Sequence, residues 1–78
     1  MSDNSFRARW ETGERWYEAI LTQDLLGDWI VLRVWGGKGS RRHGQKTDMV
    51  NSEADGRNLI EQIHKTRIHR KPAYERVL

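Results

Sequence analysis

Cysteine is absent from the 78 residues, which removes disulfides, thiolate nucleophiles and thiolate metal sites from consideration. Proline occurs once, at Pro72, so regular backbone structure meets an obligatory interruption at one place only. Apolar residues are scarce, at 36% of the chain, and none of their runs approaches the ~20 residues that a membrane span requires. The opening Met-Ser-Asp-Asn-Ser is polar and holds no apolar stretch of signal-peptide length. The expectation is therefore a soluble cytoplasmic protein with no membrane partner. The length leaves room for one domain, residues 1–78. A core of that size leaves only a few kcal/mol of net stability, a poor foundation for a deep, water-excluding catalytic cavity. No enzymatic activity is expected.

What the chain does have is aromatics and cations. Four Trp, two Tyr and one Phe supply much of the buriable surface, roughly 150–250 Å² each. Fourteen Lys+Arg stand against eleven Asp+Glu, giving a net charge of +3. That excess is modest, and its placement matters more than its size.

Apolar periodicity predicts the elements. Phe6, Ala8 and Trp10 alternate with Arg7, Arg9 and Glu11, the period of a half-buried strand. Thr12-Gly13-Glu14 reads as a turn. A second strand follows from Arg15 to Thr22, with Tyr17, Ala19 and Leu21 opposite Trp16, Glu18 and Ile20. Residues 23–28 connect it to a third strand, Trp29 to Trp35. There Ile30, Leu32 and Val34 form a wholly apolar row, and Trp29, Val31, Arg33 and Trp35 a mixed one. Residues 36–44 form a loop with four Gly plus Lys38, Arg41, Arg42 and His43, and residues 45–50 suit a fourth strand. Ser52 is a good helix N-cap, with Asp55 placed to complement the dipole. Gly56, Leu59, Ile60 and Ile63 share one stripe of a helix expected to end near Thr66 or Arg67. The tail can add an edge strand through Tyr74 and Val77. The fold class is α+β: a twisted antiparallel sheet of four to five strands with one helix packed on one face.

No catalytic or metal constellation emerges, and no cofactor is expected. His64 and His69 are five apart, which separates them around a helix instead of giving the i, i+4 pair that zinc sites use. They read as solvated surface residues. The Gly36-Gly37-Lys38-Gly39-Ser40 loop lacks P-loop spacing and opens no helix. Its glycines fit either close approach to a phosphate or a hairpin loop that needs positive φ.

Trp35 is the residue that stands out. With the core assigned to Ile30, Leu32 and Val34, Trp35 falls on the opposite face with Arg33, at the mouth of the basic loop. A flat ring among cations can stack on a base or sugar while phosphates are neutralised. The alternative is that Trp35 joins Trp29 and Trp16 in covering the second face of the sheet.

Arg33-Val34-Trp35-Gly36 followed by Gly39 resembles the signature of the WGR domain, a module of poly(ADP-ribose) polymerases and of small bacterial proteins. Trp16 to Leu21 resembles the aromatic-rich strand of that family, and Gly27 to Arg33 its lead into the signature. The Gly44-Gln45 step, the Ser52 helix and Tyr74 follow in the family's order. The resemblance covers roughly Arg15 to Val77. It implies an antiparallel sheet with one helix, and nucleic-acid binding, with Trp35 against the sugar at a DNA strand end and nearby cations on the phosphates. Gly37 stands where the signature has Arg, which leaves Lys38, Arg41 or Arg42 to replace its contact. No ADP-ribosyl transfer is implied.

The leading expectation is thus a DNA-binding module, for duplex ends or nicks, using Arg33, Trp35, Gly36, Lys38, Gly39, Arg41, Arg42 and Lys46. Lys65, Arg67, Arg70 and Lys71 form a candidate second basic patch. The alternative from a different class is a protein–protein interaction module that anchors through Trp16, Trp29 and Trp35. RNA or single-stranded binding would use the same aromatic-plus-cation chemistry.

Overall fold

The computed structural model describes residues 5–78; the polar start, Met1 to Asn4, lies outside them. Five strands and one helix follow in the order β1 (Phe6–Glu11), β2 (Arg15–Gln23), β3 (Trp29–Gly37), β4 (His43–Met49), α1 (Glu53–Ile68) and β5 (Glu75–Arg76). They build one antiparallel sheet in the spatial order β4-β3-β2-β1-β5. The first four strands are a meander, and the tail returns past the helix to lie beside β1. The expected architecture is the one observed.

Local chemistry accounts for each corner. The Thr12 hydroxyl accepts the amides of Glu14 and Arg15 at 3.1 and 2.8 Å, closing the β1–β2 turn. Asp24 does the same between β2 and β3: its carboxylate accepts the amides of Leu26 and Asp28, both at 2.9 Å. Gly27 completes that turn at φ +84°, a conformation glycine adopts without a Cβ penalty. Ser52 caps α1 by accepting the Asp55 amide at 3.1 Å. Acidic residues occupy the first turn of the helix and Lys65 and Arg67 its last, in accord with the macrodipole. The helix runs to Ile68, slightly past its expected end, and β5 is shorter than the edge strand expected. Tyr74 lies just before β5, its amide bonded to the Arg67 carbonyl at 3.1 Å.

The core is on the other face of β3 from the one its composition predicts. Buried residues are Ala8, Trp10, Tyr17, Ala19, Leu21, Val31, Ile60 and Ile63. Phe6, Trp29, Trp35, Val50, Leu59 and Tyr74 pack around them. Ile30, Leu32 and Val34 are only half-buried and lie on the face away from α1. Register settles the matter. Leu21 faces Val31, Ala19 faces Arg33 and Tyr17 faces Trp35, while Phe6, Ala8 and Trp10 face Leu21, Ala19 and Tyr17 from β1. Cross-strand partners share a face. The opposite row of β1 is wholly charged, so β1 can turn only its apolar row to the helix, and β3 must follow.

Two interactions fix the helix. The Trp10 indole N–H donates to His64 Nδ1 at 3.0 Å, supplying the partner that a buried Trp requires. His64 is therefore an internal acceptor, not the solvated surface residue its sequence context suggests. Gly56 is buried and sits directly on the Leu21 side chain. A Cβ there would overlap Leu21 Cδ1 and press to within 3.2 Å of its Cγ. Gly56→Ala gains about 1 kcal/mol of helix propensity but overpacks a side chain with no room to retreat. The expected net result is a loss of about 1–2 kcal/mol in urea unfolding. A stabilised variant would show that the helix does not approach the sheet this closely.

Candidate functional site

The residues singled out in the sequence converge on one end of the sheet. The Lys38 amide bonds the Glu14 carbonyl at 2.7 Å, which holds the β3–β4 loop against the β1–β2 turn. The residues just after α1 come to the same end. Between them is an open concavity of about 320 Å³, lined by Arg15, Arg33, Lys46, Arg67 and Arg70 together with Trp16, Tyr17, Trp35, Gly36 and Tyr74. Five cations and no carboxylate line it.

Trp35 lies at this site, but not as the sequence reading requires. It is on the helix face and half-buried against the core. One side of the indole runs parallel to the Tyr17 ring, with centroids 5.7 Å apart and planes 10° apart. The other lies over Gly44, where any Cβ would collide with the ring. The half-buried indole thus lies between Tyr17 and Gly44 while still bordering the concavity, instead of standing free on the opposite face. The expected aromatic second face is absent too. Trp29 and Trp35 each pack against the core on the helix side, and Trp16 alone is on the bare side, over Gly36 and 5.0 Å from the Arg9 guanidinium.

The expected cations divide into paired and unpaired. Arg33 Nε meets Asp48 at 2.7 Å, with Lys46 3.7 Å from the same carboxylate. Lys38 pairs with Glu11 at 2.9 Å. This ammonium, and then the Arg9 guanidinium, hold the Glu11 carboxyl below its ordinary range. The bond to Glu11, aided by Glu18 and opposed by burial, raises Arg9 above its own. Gly39 serves the turn at φ +77°. Arg41 and Arg42 are exposed on the loop, where Arg42 borders a shallow neighbouring depression with Gly36, Lys38 and His43. From the second candidate patch, Arg67 and Arg70 join Trp35 at the concavity, whereas Lys71 lines a groove shared with Glu11, Glu14 and Glu75 and Lys65 lines neither.

Arg67 is held by rings instead of carboxylates. Its guanidinium is 4.2 Å from the Tyr17 centroid and 5.3 Å from that of Tyr74. Sequence reasoning missed Arg15, Tyr17 and Tyr74 as members of the site. The register Arg15↔Gly37 and Tyr17↔Trp35 is what brings the first two in, and no local pattern encodes it.

A second surface was not anticipated. At the opposite end of the sheet, Leu25 and Leu26 are 104% and 86% exposed on the turn that Asp24 pins. From there, Ile20, Ile30, Leu32 and Val34 run along the bare face with Met49, itself 71% exposed. Arg7, Glu18, Arg9 and Glu11 border them in a continuous ion-pair chain. Among the described residues, no group of side chains is arranged to hold a metal ion, and no helix is long and apolar enough to cross a membrane.

No protein-family model, curated protein or solved structure matches the chain.

Trp35→Ala separates an internal indole from a free one. Removing a ring lodged between Tyr17 and Gly44 should lower unfolding stability by about 2–4 kcal/mol, read from urea melts. Gly44→Ala should move in the same direction by displacing the ring. Undiminished stability in Trp35→Ala would return the indole to the solvent side.

Proposed function

We propose that this chain is a protein-interaction module that docks through the Leu25–Leu26 tip and the aliphatic face of its sheet. The observation that carries the reading is the tip. Two adjacent leucines are fully exposed on a turn fixed by three hydrogen bonds to Asp24, two to its carboxylate and one, from Gly27, to its carbonyl. Exposed apolar clusters of this kind mark contact surfaces, and a preset turn lowers the ordering cost of binding. Asp24 and Asp28 bracket the leucines, so an anionic lipid surface would be repelled where an apolar protein groove would not. The aromatic anchors expected from sequence give way to aliphatic ones, since Trp29 and Trp35 belong to the core.

The test is affinity capture by the full chain beside a Leu25→Ser/Leu26→Ser variant. The expected outcome is a protein retained in fixed stoichiometry by the parent chain and lost by the variant, whose melting curve is unchanged. Equal retention by both would remove the tip from the interface.

The concavity supports a second reading, binding of a nucleic-acid backbone, which is also what the WGR resemblance implies. Here Arg15, Arg67 and Arg70 contact phosphates, because no carboxylate among the described residues pairs with them. Contact with about three phosphates gives a slope near −2.7 for log affinity against log salt on duplex DNA. Arg70→Ala should flatten that slope by about 0.9. A flat salt profile for the parent chain would dispose of this reading.

A further inference from the structure

The bare face of the sheet fits a second copy of this chain, and we infer that the protein self-associates there, face to face about a two-fold axis. This rests on the protein-interaction reading and names the occupant of its larger surface.

Charge is the first argument. On that face Arg7 pairs with Glu18, Glu18 with Arg9, and Arg9 with Glu11, which also holds Lys38 from the loop; with Glu75 beside Glu11 on β5, three cations stand against three carboxylates. All of these but Glu75 are paired within their own chain. A two-fold interface sets a patch against itself, so a face with net charge would repel its copy. This one is balanced. A strongly charged partner would, conversely, have to break those pairs.

Shape and extent are the second. Ile30, Leu32 and Val34 make a continuous aliphatic row on β3, an inner strand, with Ile20 beside it on β2 and Met49 on β4. Strands about 4.8 Å apart, two of nine residues and about 30 Å long but β5 of only two, present a face of roughly 500–550 Å². Standard interfaces bury about 800 Å² per partner, so sheet-on-sheet packing would use the whole face and give a small interface that dissociates on dilution. Two twisted sheets pack in this way about 10 Å apart, with both helices outward.

Sedimentation equilibrium of the full chain tests it. The expected result is a concentration-dependent mass that rises from 9.2 kDa to twice that value. Leu32→Lys should weaken the association by at least about tenfold, the loss expected when a charge replaces a central apolar contact. Glu61→Gln, exposed on α1 and away from both surfaces, should leave it unchanged. A parent chain that stays at one-chain mass to millimolar concentration overturns the inference. So does a Leu32→Lys variant that associates as the parent does while keeping its fold by circular dichroism. Capturing partners with Leu32→Lys then separates the two failures. If the parent chain is monomeric but the variant loses a captured protein, the face binds another chain and only the second copy is wrong. If nothing is lost, the sheet face is no interface at all.

Discussion

A five-stranded sheet has two faces, and the described residues supply one helix to cover them. The helix goes where the most apolar area can be buried, and β1 decides which side that is. Its rows are Phe6, Ala8 and Trp10 against Arg7, Arg9 and Glu11, so reversing the sheet would put three charged residues under α1. Burying an unpaired charge costs far more than leaving an aliphatic side chain half-exposed. Ile30, Leu32 and Val34 consequently stay on the bare side although they are the most apolar row in the chain. The exposed aliphatic surface follows directly from the choice forced by β1.

That constraint recasts the glycines and tryptophans of the signature-like segment. Gly36 lies under Trp16, and Gly44 under Trp35. In each case a large ring covers a strand glycine on the neighbouring strand, excluding water from backbone that has no side chain of its own and filling the gap in packing. The two pairs sit on opposite faces and on both flanks of β3. A segment that reads as ligand-binding by composition thus has a structural reason for both its Trp and its Gly. Around the Trp35–Gly44 pair lie the cations Arg15, Arg67 and Arg70, which line the concavity.

The sequence carries the fold well because the fold is local in origin. Four strands, the Ser52 cap and the helix stripe each announce themselves within a few residues. The orientation of β3 does not, because its alternation taken alone favours the wrong face. Only the register with β2 and β1 corrects it, and register is a property of three strands at once. The same limit explains the site. Arg33 and Lys46 look like free cations until Asp48 is seen beside them across the β3–β4 ladder. Tyr17 looks like an ordinary core residue until Arg67 arrives over it from 50 positions along the chain. His64 is the clearest case. Nothing in its neighbourhood distinguishes it from His69, yet one accepts the bond of a buried indole and the other caps an exposed helix end.

Charge counting fails for a related reason. The net charge of +3 says little, because the structure sorts the cations into two groups of different availability. Arg7, Arg9 and Lys38 are tied to Glu18 and Glu11 along the bare face and the loop, and any anion recruiting them would have to displace a carboxylate. Arg15, Arg67 and Arg70 meet no carboxylate among the described residues, and Arg67 is further held flat by two tyrosines. A guanidinium oriented by aromatic rings keeps its donor edge free and loses less entropy on binding than a mobile one. The molecule is thereby divided: its paired charges border the aliphatic face, and Arg15, Arg67 and Arg70, with no carboxylate partner among the described residues, lie together at the far end. A protein contact on the first surface would leave the second exposed, so the two surfaces are separable, and neither has to be weakened for the other to act.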